Sequence, residues 1–160
     1  MTQTATKKKP STSSKPTRYE DDIYTWSQEQ IALLKAGRLS GIDAANIAWE
    51  LADVGSNIQD RLQSAIAVLA MHMLKWDHQT KRRTRSWEAT VKEQRRRIEK
   101  LLEKNPGLKG ILAECFADGY ADARDRAVRE TGLAYDTFPE TCPYSYSELM
   151  TREIKFATKA

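Results

Sequence analysis

Basic side chains are concentrated in the segment MHMLKWDHQTKRRTRSWEATVKEQRRRIEKLL, residues 71–102. Between positions 75 and 100 the chain carries ten Lys and Arg residues against four Asp and Glu residues. Guanidinium and ammonium groups bind phosphates through charge and hydrogen bonds, so this pattern is typical of a surface for RNA, DNA or an acidic protein. We call the following eight candidate residues the basic junction: Lys75, Lys81, Arg82, Arg83, Arg85, Arg95, Arg96 and Arg97.

An acidic set further along the chain offers an internal partner for the basic junction. Its spacings of four, four and three residues place its members on one face of a helix. The members of this acidic ridge are Glu114, Asp118, Asp122 and Asp125. Trp76 and Trp87, which accompany the basic residues, fall on apolar stripes typical of a core. We therefore favour internal ion pairs of the ridge with Arg95 or Arg97 over a nucleic-acid surface, and keep a protein-binding surface as the third interpretation.

A catalytic site is the alternative from another class of function. His72 lies on an apolar helical stripe, and a metal or acid–base role would require other ligands or carboxylates to converge on it. Glu50 and Asp53 are the candidates for a hydrolase or nuclease. The chain has no H-x-x-E or H-E-x-x-H spacing, no glycine-rich nucleotide loop and no G-x-S-x-G motif. We therefore favour a core histidine at position 72, place His78 in a loop, and expect no cofactor and no metal.

The elements that must position these residues are helices, because apolar residues recur at steps of three and four and strict alternation is missing. We predict four main helices at about residues 20–36, 44–76, 86–105 and 106–131, followed by a loop and a short helix near 147–156. Gly37 and Gly132 are the expected stops, and Asp43 and Asn105 the expected N-caps. The fold class is therefore all-α, an antiparallel bundle of four main helices with a C-terminal loop plus short helix.

The second helix is long enough to form the spine of that bundle. Its apolar stripe continues on one face from Ile47 to Trp76, over about 50 Å at 1.5 Å per residue. Gly55 lies beside the stripe, where it permits a close helix approach or a bend. A stripe of this length exceeds what one small chain covers, so we expect a homodimer.

Composition sets the remaining expectations. Residues 1–18 carry five basic residues, no acidic ones and many Ser, Thr and Pro, which predicts a disordered basic arm before a single domain over residues 19–160. The chain contains no apolar run of the roughly 18 residues that would span a membrane, and no secretory signal is evident. We therefore expect a cytoplasmic protein with Cys115 and Cys142 as reduced thiols.

Several motifs, taken together, resemble a known family. They are YEDDIYTWSQEQIALLKAG, NIAWELADVG, MHMLKW, RSWEATVKEQRRRIEKLL, NPGLKGILAECFADGYADARDRAVRETGL and FPETCPY. On these motifs, residues 19–150 resemble the bacterial Domain of Unknown Function family twenty-nine. The resemblance implies a soluble, all-α bacterial domain and no established activity or catalytic residues. Trp49 and Ala52 stand where that family often has acidic residues, which weakens any function that needs several carboxylates there.

The functional prediction follows from charge sorting. We predict a small non-catalytic binding or adaptor domain that uses the basic junction and the arm for an anionic partner. A purely structural or antitoxin-like interaction module is a further alternative, beside the enzyme that would use Glu50, Asp53 and His72.

Overall fold

The computed structural model describes residues 15–157, which form five α-helices and no strand. The helices are α1 (Ile23–Lys35), α2 (Ala44–His78), α3 (Arg85–Lys104), α4 (Leu112–Thr131) and α5 (Tyr146–Thr151). Single turns of 3-10 helix lie at Leu39–Gly41, Thr80–Arg82 and Tyr135–Thr137, and a longer one at Pro106–Ile111. The prediction of an all-α helical bundle with four long helices is confirmed.

The chain divides into two compact units, with the boundary between Ala52 and Asp53. Because this boundary falls inside α2, one helix contributes residues to both units. The single domain predicted over residues 19–160 stays a prediction. Most of the predicted basic arm, residues 1–14, lies outside the described residues. Thr17, near its end, is joined to α1 by hydrogen bonds from its backbone N–H and its hydroxyl to the Glu29 carboxylate, at 3.0 and 2.9 Å.

The first unit is a helical hairpin made by α1 and the start of α2. Asp43 organises it: its carboxylate accepts from the Asn46 backbone N–H at 3.2 Å, which confirms the predicted N-cap, and from Trp26 Nε1 at 3.3 Å. Its own backbone N–H donates to Gln30 Oε1 at 2.7 Å. Trp26 and Gln30 are the two buried side chains that residues 15–52 provide. The hairpin therefore has almost no apolar core of its own.

The second unit holds the hydrophobic core. The C-terminal half of α2 is buried from Leu62 onward, and α3, α4 and the C-terminal segment pack against it. The largest fully buried side chains are Phe138, Leu62, Ile66, Leu69, Met73, Leu74, Ile98, Leu149, Val91 and Cys115. The approach of α4 to α2 is closest at Gly119, where a Cβ atom would lie 2.9 Å from Ile66 Cγ2 and 3.0 Å from the Gln63 carbonyl oxygen. Only glycine fits there without moving a helix.

The C-terminal segment is attached by polar contacts as well as by apolar burial. Ser145 and Glu148 form a capping box that starts α5. The guanidinium of Arg152 makes two hydrogen bonds to Asp77 at the end of α2, at 2.8 and 2.6 Å, and Tyr144 donates to the same carboxylate at 2.7 Å. These contacts, together with the buried side chain of Ile154, hold the segment on the bundle.

Several predicted helix boundaries are wrong for local reasons. Helix α1 begins at Ile23 rather than near residue 20, because the Asp22 side chain caps it by accepting from the Thr25 N–H at 3.0 Å. The Asn105 side chain does not cap the next helix. It donates to the Leu101 carbonyl at 3.0 Å, and the glycine-containing segment that follows forms a 3-10 helix, so α4 begins only at Leu112. The stops at Gly37 and Gly132 are confirmed, with φ of 67° and 70°.

Candidate anion-binding groove

A basic groove lies on one face of α3, in the second unit. Its volume is about 560 Å³, and the residues that line it are Arg61, Glu93, Arg96, Arg97, Lys100, Leu101 and Lys104. Five of these side chains are cations and one is a carboxylate. All five cations are exposed. Over residues 15–157 none of the five forms an ion pair or a hydrogen bond through its side chain, so each is available to a ligand.

The period of α3 explains why its groove-lining residues share a face. Positions 93, 96, 97, 100 and 104 follow one another at steps of three, one, three and four, which places them along one side of a helix. Val91, Gln94 and Ile98 are buried on another side of the same helix. Thr84 fixes the start of α3 by accepting from the Trp87 N–H at 3.3 Å. Burial of the apolar side therefore turns the basic side toward solvent.

Three residues of the basic junction, Lys75, Arg83 and Arg95, make contacts within the protein and do not line the groove. Lys75 is buried, with Nζ 2.5 Å from a Glu130 carboxylate oxygen and 4.5 Å from the centre of the Trp87 ring. Arg83 Nε donates to the Trp76 carbonyl at 2.8 Å, and its guanidinium lies 4.8 Å from the centre of the Trp76 ring. The Lys75–Glu130 contact joins α2 to α4, and the Arg83 contacts hold the turn before α3 against Trp76.

Arg95 attaches the C-terminal segment to α3. Its Nε donates to the Leu149 carbonyl at 2.9 Å, and its Nη2 donates to the Arg152 carbonyl at 2.8 Å. Burial, and then the nearby Arg152 charge, lower the pKa of Arg95 below its ordinary value. Its guanidinium therefore satisfies main-chain carbonyl groups, and only its neighbours Arg96 and Arg97 reach the groove.

The other three residues of the junction lie apart from the groove. Lys81 and Arg82 occupy the 3-10 turn between α2 and α3, and Arg85 is the first residue of α3. All three are exposed. Arg85 precedes Arg96 by eleven residues, about 16 Å along the helix axis. The basic junction is therefore divided among structural contacts, the turn and the groove, and it does not form one surface.

The acidic ridge does not pair with α3, which corrects the favoured interpretation of the sequence. Among residues 15–157, no ion pair joins Glu114, Asp118, Asp122 or Asp125 to an arginine of the junction. Asp122 accepts a hydrogen bond of 3.4 Å from Gln63, and Asp125 accepts one of 2.9 Å from the Tyr135 hydroxyl. Arg95 instead donates to carbonyl groups of the C-terminal segment, a contact that sequence spacing does not reveal.

Two of the alternative catalytic residues, both in the second unit, lie far apart. Asp53 and His72 lie nineteen residues apart on α2, about 29 Å along a straight helix. Glu50 accepts a hydrogen bond of 2.6 Å from the Tyr19 hydroxyl. His72 Nδ1 lies 2.9 Å from the Val68 carbonyl oxygen, and burial lowers the pKa of its ring. His72 is therefore a partly buried histidine with a main-chain partner.

The remaining candidate groups are His78 and the two thiols. His78 lies at the end of α2, and its ring is 5.1 Å from the ring of Phe138. Cys115 and Cys142 are free thiols, and burial raises the pKa of each. No group of three or more His, Cys, Asp and Glu side chains that could hold a metal ion occurs in residues 15–157.

The sequence interpretation missed three of the five groove cations. Lys100 and Lys104 continue the Arg96–Arg97 side of α3, so helical spacing alone could have identified them. Arg61 comes from α2 and has no local signal, because only the packing of α3 beside α2 brings it to the groove. Both junction tryptophans are absent from the groove: Trp76 is buried and Trp87 is half-buried.

The comparisons with known proteins give one match. The model of a family described as Domain of unknown function DUF29 matches residues 18–154. No curated protein matches the chain, and no solved structure matches it. Separately, none of the helices within residues 15–157 is long and apolar enough to cross a membrane.

Proposed function

The chain belongs to the family Domain of unknown function DUF29, whose description carries no activity, and we propose that it is a non-catalytic protein that binds the phosphate backbone of nucleic acid. The binding surface is the basic groove of α3. The observation that carries the proposal is a groove of about 560 Å³ with five exposed cations that have no partner over residues 15–157. Such a cluster is costly to keep together without a counter-charge, since its members repel one another.

The spacing of the cations suits a string of phosphates. Arg96 and Lys104 are eight residues apart, about 12 Å along the helix. One strand of B-form DNA presents a phosphate roughly every 3.4 Å along its axis, so the stripe spans about three or four phosphates. Arg96 and Arg97 supply planar groups that bind phosphate through two hydrogen bonds, and Lys100 and Lys104 add point charges.

The chemistry of the groove favours backbone contacts over base recognition. Leu101 is its single apolar lining residue, and it has no aromatic ring on which a base could stack. The two tryptophans of the junction carry Lys75 and Arg83 over their rings. Contacts to phosphate position a nucleic acid but carry little sequence information. We therefore expect binding that depends strongly on salt and weakly on sequence.

Fluorescence anisotropy of labelled duplex DNA and RNA with the full chain, over a salt series, tests the proposal. If four phosphates are neutralised, the logarithm of the binding constant falls with the logarithm of salt at a slope of about −3.6. Affinity then drops by roughly 150-fold between 50 and 200 mM salt. Replacing both Arg96→Gln and Arg97→Gln should reduce the magnitude of the slope by about 1.8.

The matched control is the double variant Lys81→Gln and Arg82→Gln. It removes the same charge from the turn before α3, outside the groove, and it leaves the basic residues of the arm in place. We expect its salt slope to stay close to that of the unchanged chain. Equal losses in the two double variants would contradict a specific groove. Binding to polyglutamate, with none to either nucleic acid at low salt, would assign the groove to an acidic protein.

A further inference from the structure

The described residues of the first unit form an open apolar groove. Ile23, Ile31 and Leu34 line it from α1, and Ile47 and Leu51 line it from α2. Ile23 is 53 % exposed, Ile31 42 %, Leu34 44 % and Leu51 66 %. A groove this apolar and this open marks an interaction surface more often than a free surface.

The groove is the main place where this unit could gain stability. Trp26 is the one buried apolar side chain in residues 15–52, and Gln30 is the only other buried residue there. A hairpin of this size does not bury enough apolar area to hold its helices together, and small units of this kind usually depend on association. A second copy of the chain is an occupant that is available wherever the chain itself is present.

Charge along α1 points to the same occupant. Three acidic residues, Glu20, Asp21 and Asp22, precede its first turn. The positive charge of Arg18 offsets one of their three negative charges. Lys35 and Arg38 lie at its other end. One end of the helix therefore carries a net charge of about −2 and the other about +2, by counting these formal charges alone.

The middle of α1 has no competing charge. Its one charged residue, Glu29, is engaged by the backbone N–H and the hydroxyl of Thr17. We infer that α1 packs antiparallel against α1 of a second copy, so that each acidic end meets the basic end of its partner. A two-fold axis produces this arrangement, because it places the same surface on both protomers in opposite directions. A parallel arrangement would place like charges together.

Tyr24 extends the exposed apolar face of α1 beside the groove. It is 75 % exposed and lies one residue from Ile23 and seven from Ile31. The antiparallel helix dipoles add a favourable term.

Analytical ultracentrifugation of the full chain tests this dimer. We expect the unchanged protein to sediment with twice the mass of one chain at micromolar concentration. Ile31→Glu places an unpaired charge in the interface and should raise the dissociation constant at least about tenfold. Ala32→Glu is the matched control, because it adds the same charge to the exposed opposite side of α1 and should leave the dimer intact. Far-UV circular dichroism checks that both variants keep their helices.

A charge exchange tests whether the charges at the ends of α1 drive the association, and it does not depend on the apolar variant. One chain carries Lys35→Glu with Arg38→Glu, and the other carries Glu20→Lys with Asp21→Lys. Each alone should be monomeric, because like charges would meet at both ends, and an equimolar mixture should form a heterodimer. A monomeric unchanged protein, a dimer that Ile31→Glu leaves intact, or a mixture that does not associate would overturn the inference.

Discussion

Two glycines within helices provide a paired test of the packing, because alanine should have opposite effects at the two positions. In a helix interior, glycine is about 1 kcal/mol less favourable than alanine, mainly because glycine loses more backbone conformational freedom on folding. Gly55 in α2 has no atom within 4 Å of the site where a Cβ would stand. Gly55→Ala should therefore stabilise the protein by about 0.5–1 kcal/mol.

At Gly119 the same substitution meets the close approach of α4 to α2. The new Cβ would lie 2.9 Å from Ile66 Cγ2 and 3.0 Å from the Gln63 carbonyl oxygen, against a comfortable carbon–carbon separation of about 3.5–4.0 Å. Ile66 is completely buried, and the Gln63 oxygen belongs to the α2 backbone, so neither yields without a shift of the helix. Overpacking costs about 1–3 kcal/mol, which exceeds the gain in helix propensity, and Gly119→Ala should be destabilising by about 1–2 kcal/mol.

Urea unfolding, followed by far-UV circular dichroism and tryptophan fluorescence, measures both changes. The midpoint should rise for Gly55→Ala and fall for Gly119→Ala, with the slope of the transition unchanged. Because both positions belong to the second unit, each variant is a control for the other. Equal stabilisation by the two substitutions would contradict the close approach of α4 to α2 at Gly119.

Two further predictions follow from the pKa shifts. Burial raises the pKa of the Asp77 carboxyl, but the hydrogen bonds from Arg152 and Tyr144 outweigh burial and lower this pKa below its ordinary value. The ionised Asp77 carboxylate therefore stabilises the folded protein above the unfolded pKa. This stabilisation is lost as the pH falls through the lower folded pKa. Asp77→Asn should cost about 1 kcal/mol at pH 7 and remove that part of the acid dependence, measured by urea unfolding between pH 2 and 7, and an unchanged acid profile would refute the assignment. Burial raises the pKa of both thiols, so a thiol reagent at pH 7 should modify half-buried Cys142 slowly and the fully buried Cys115 only as the protein unfolds; faster labelling of Cys115 would contradict this order.

Local signals in the sequence identified most of the helices. The stops at Gly37 and Gly132 and the cap at Asp43 depend on the conformation of one residue and its nearest neighbours, which the residue type largely dictates. Asn105 shows the limit of such signals. Its side chain donates to the Leu101 carbonyl in α3 and does not cap the helix that follows.

The fate of each basic residue could not be read from its position in the chain. Arg95, Arg96 and Arg97 are consecutive and chemically identical, yet the first binds carbonyl groups of the C-terminal segment and the other two face a groove. Consecutive residues on a helix point about 100° apart, so the neighbours they meet depend on which other segment packs on each side. The expectation that Arg95 or Arg97 pairs with the acidic ridge was wrong for the same reason, because helical spacing does not show which segment packs beside each arginine.

Periodicity, charge sorting and caps are local properties, and from them the all-α class, the long α2 and the excess of basic residues near α3 followed directly. Contacts between residues far apart in the chain decided which cations stayed free and which tryptophans were covered. They also brought Arg61 beside α3. These contacts depend on the packing of whole helices, whose free energy comes from burying the entire apolar core at once. The type of a single residue therefore does not determine how the helices pack around it.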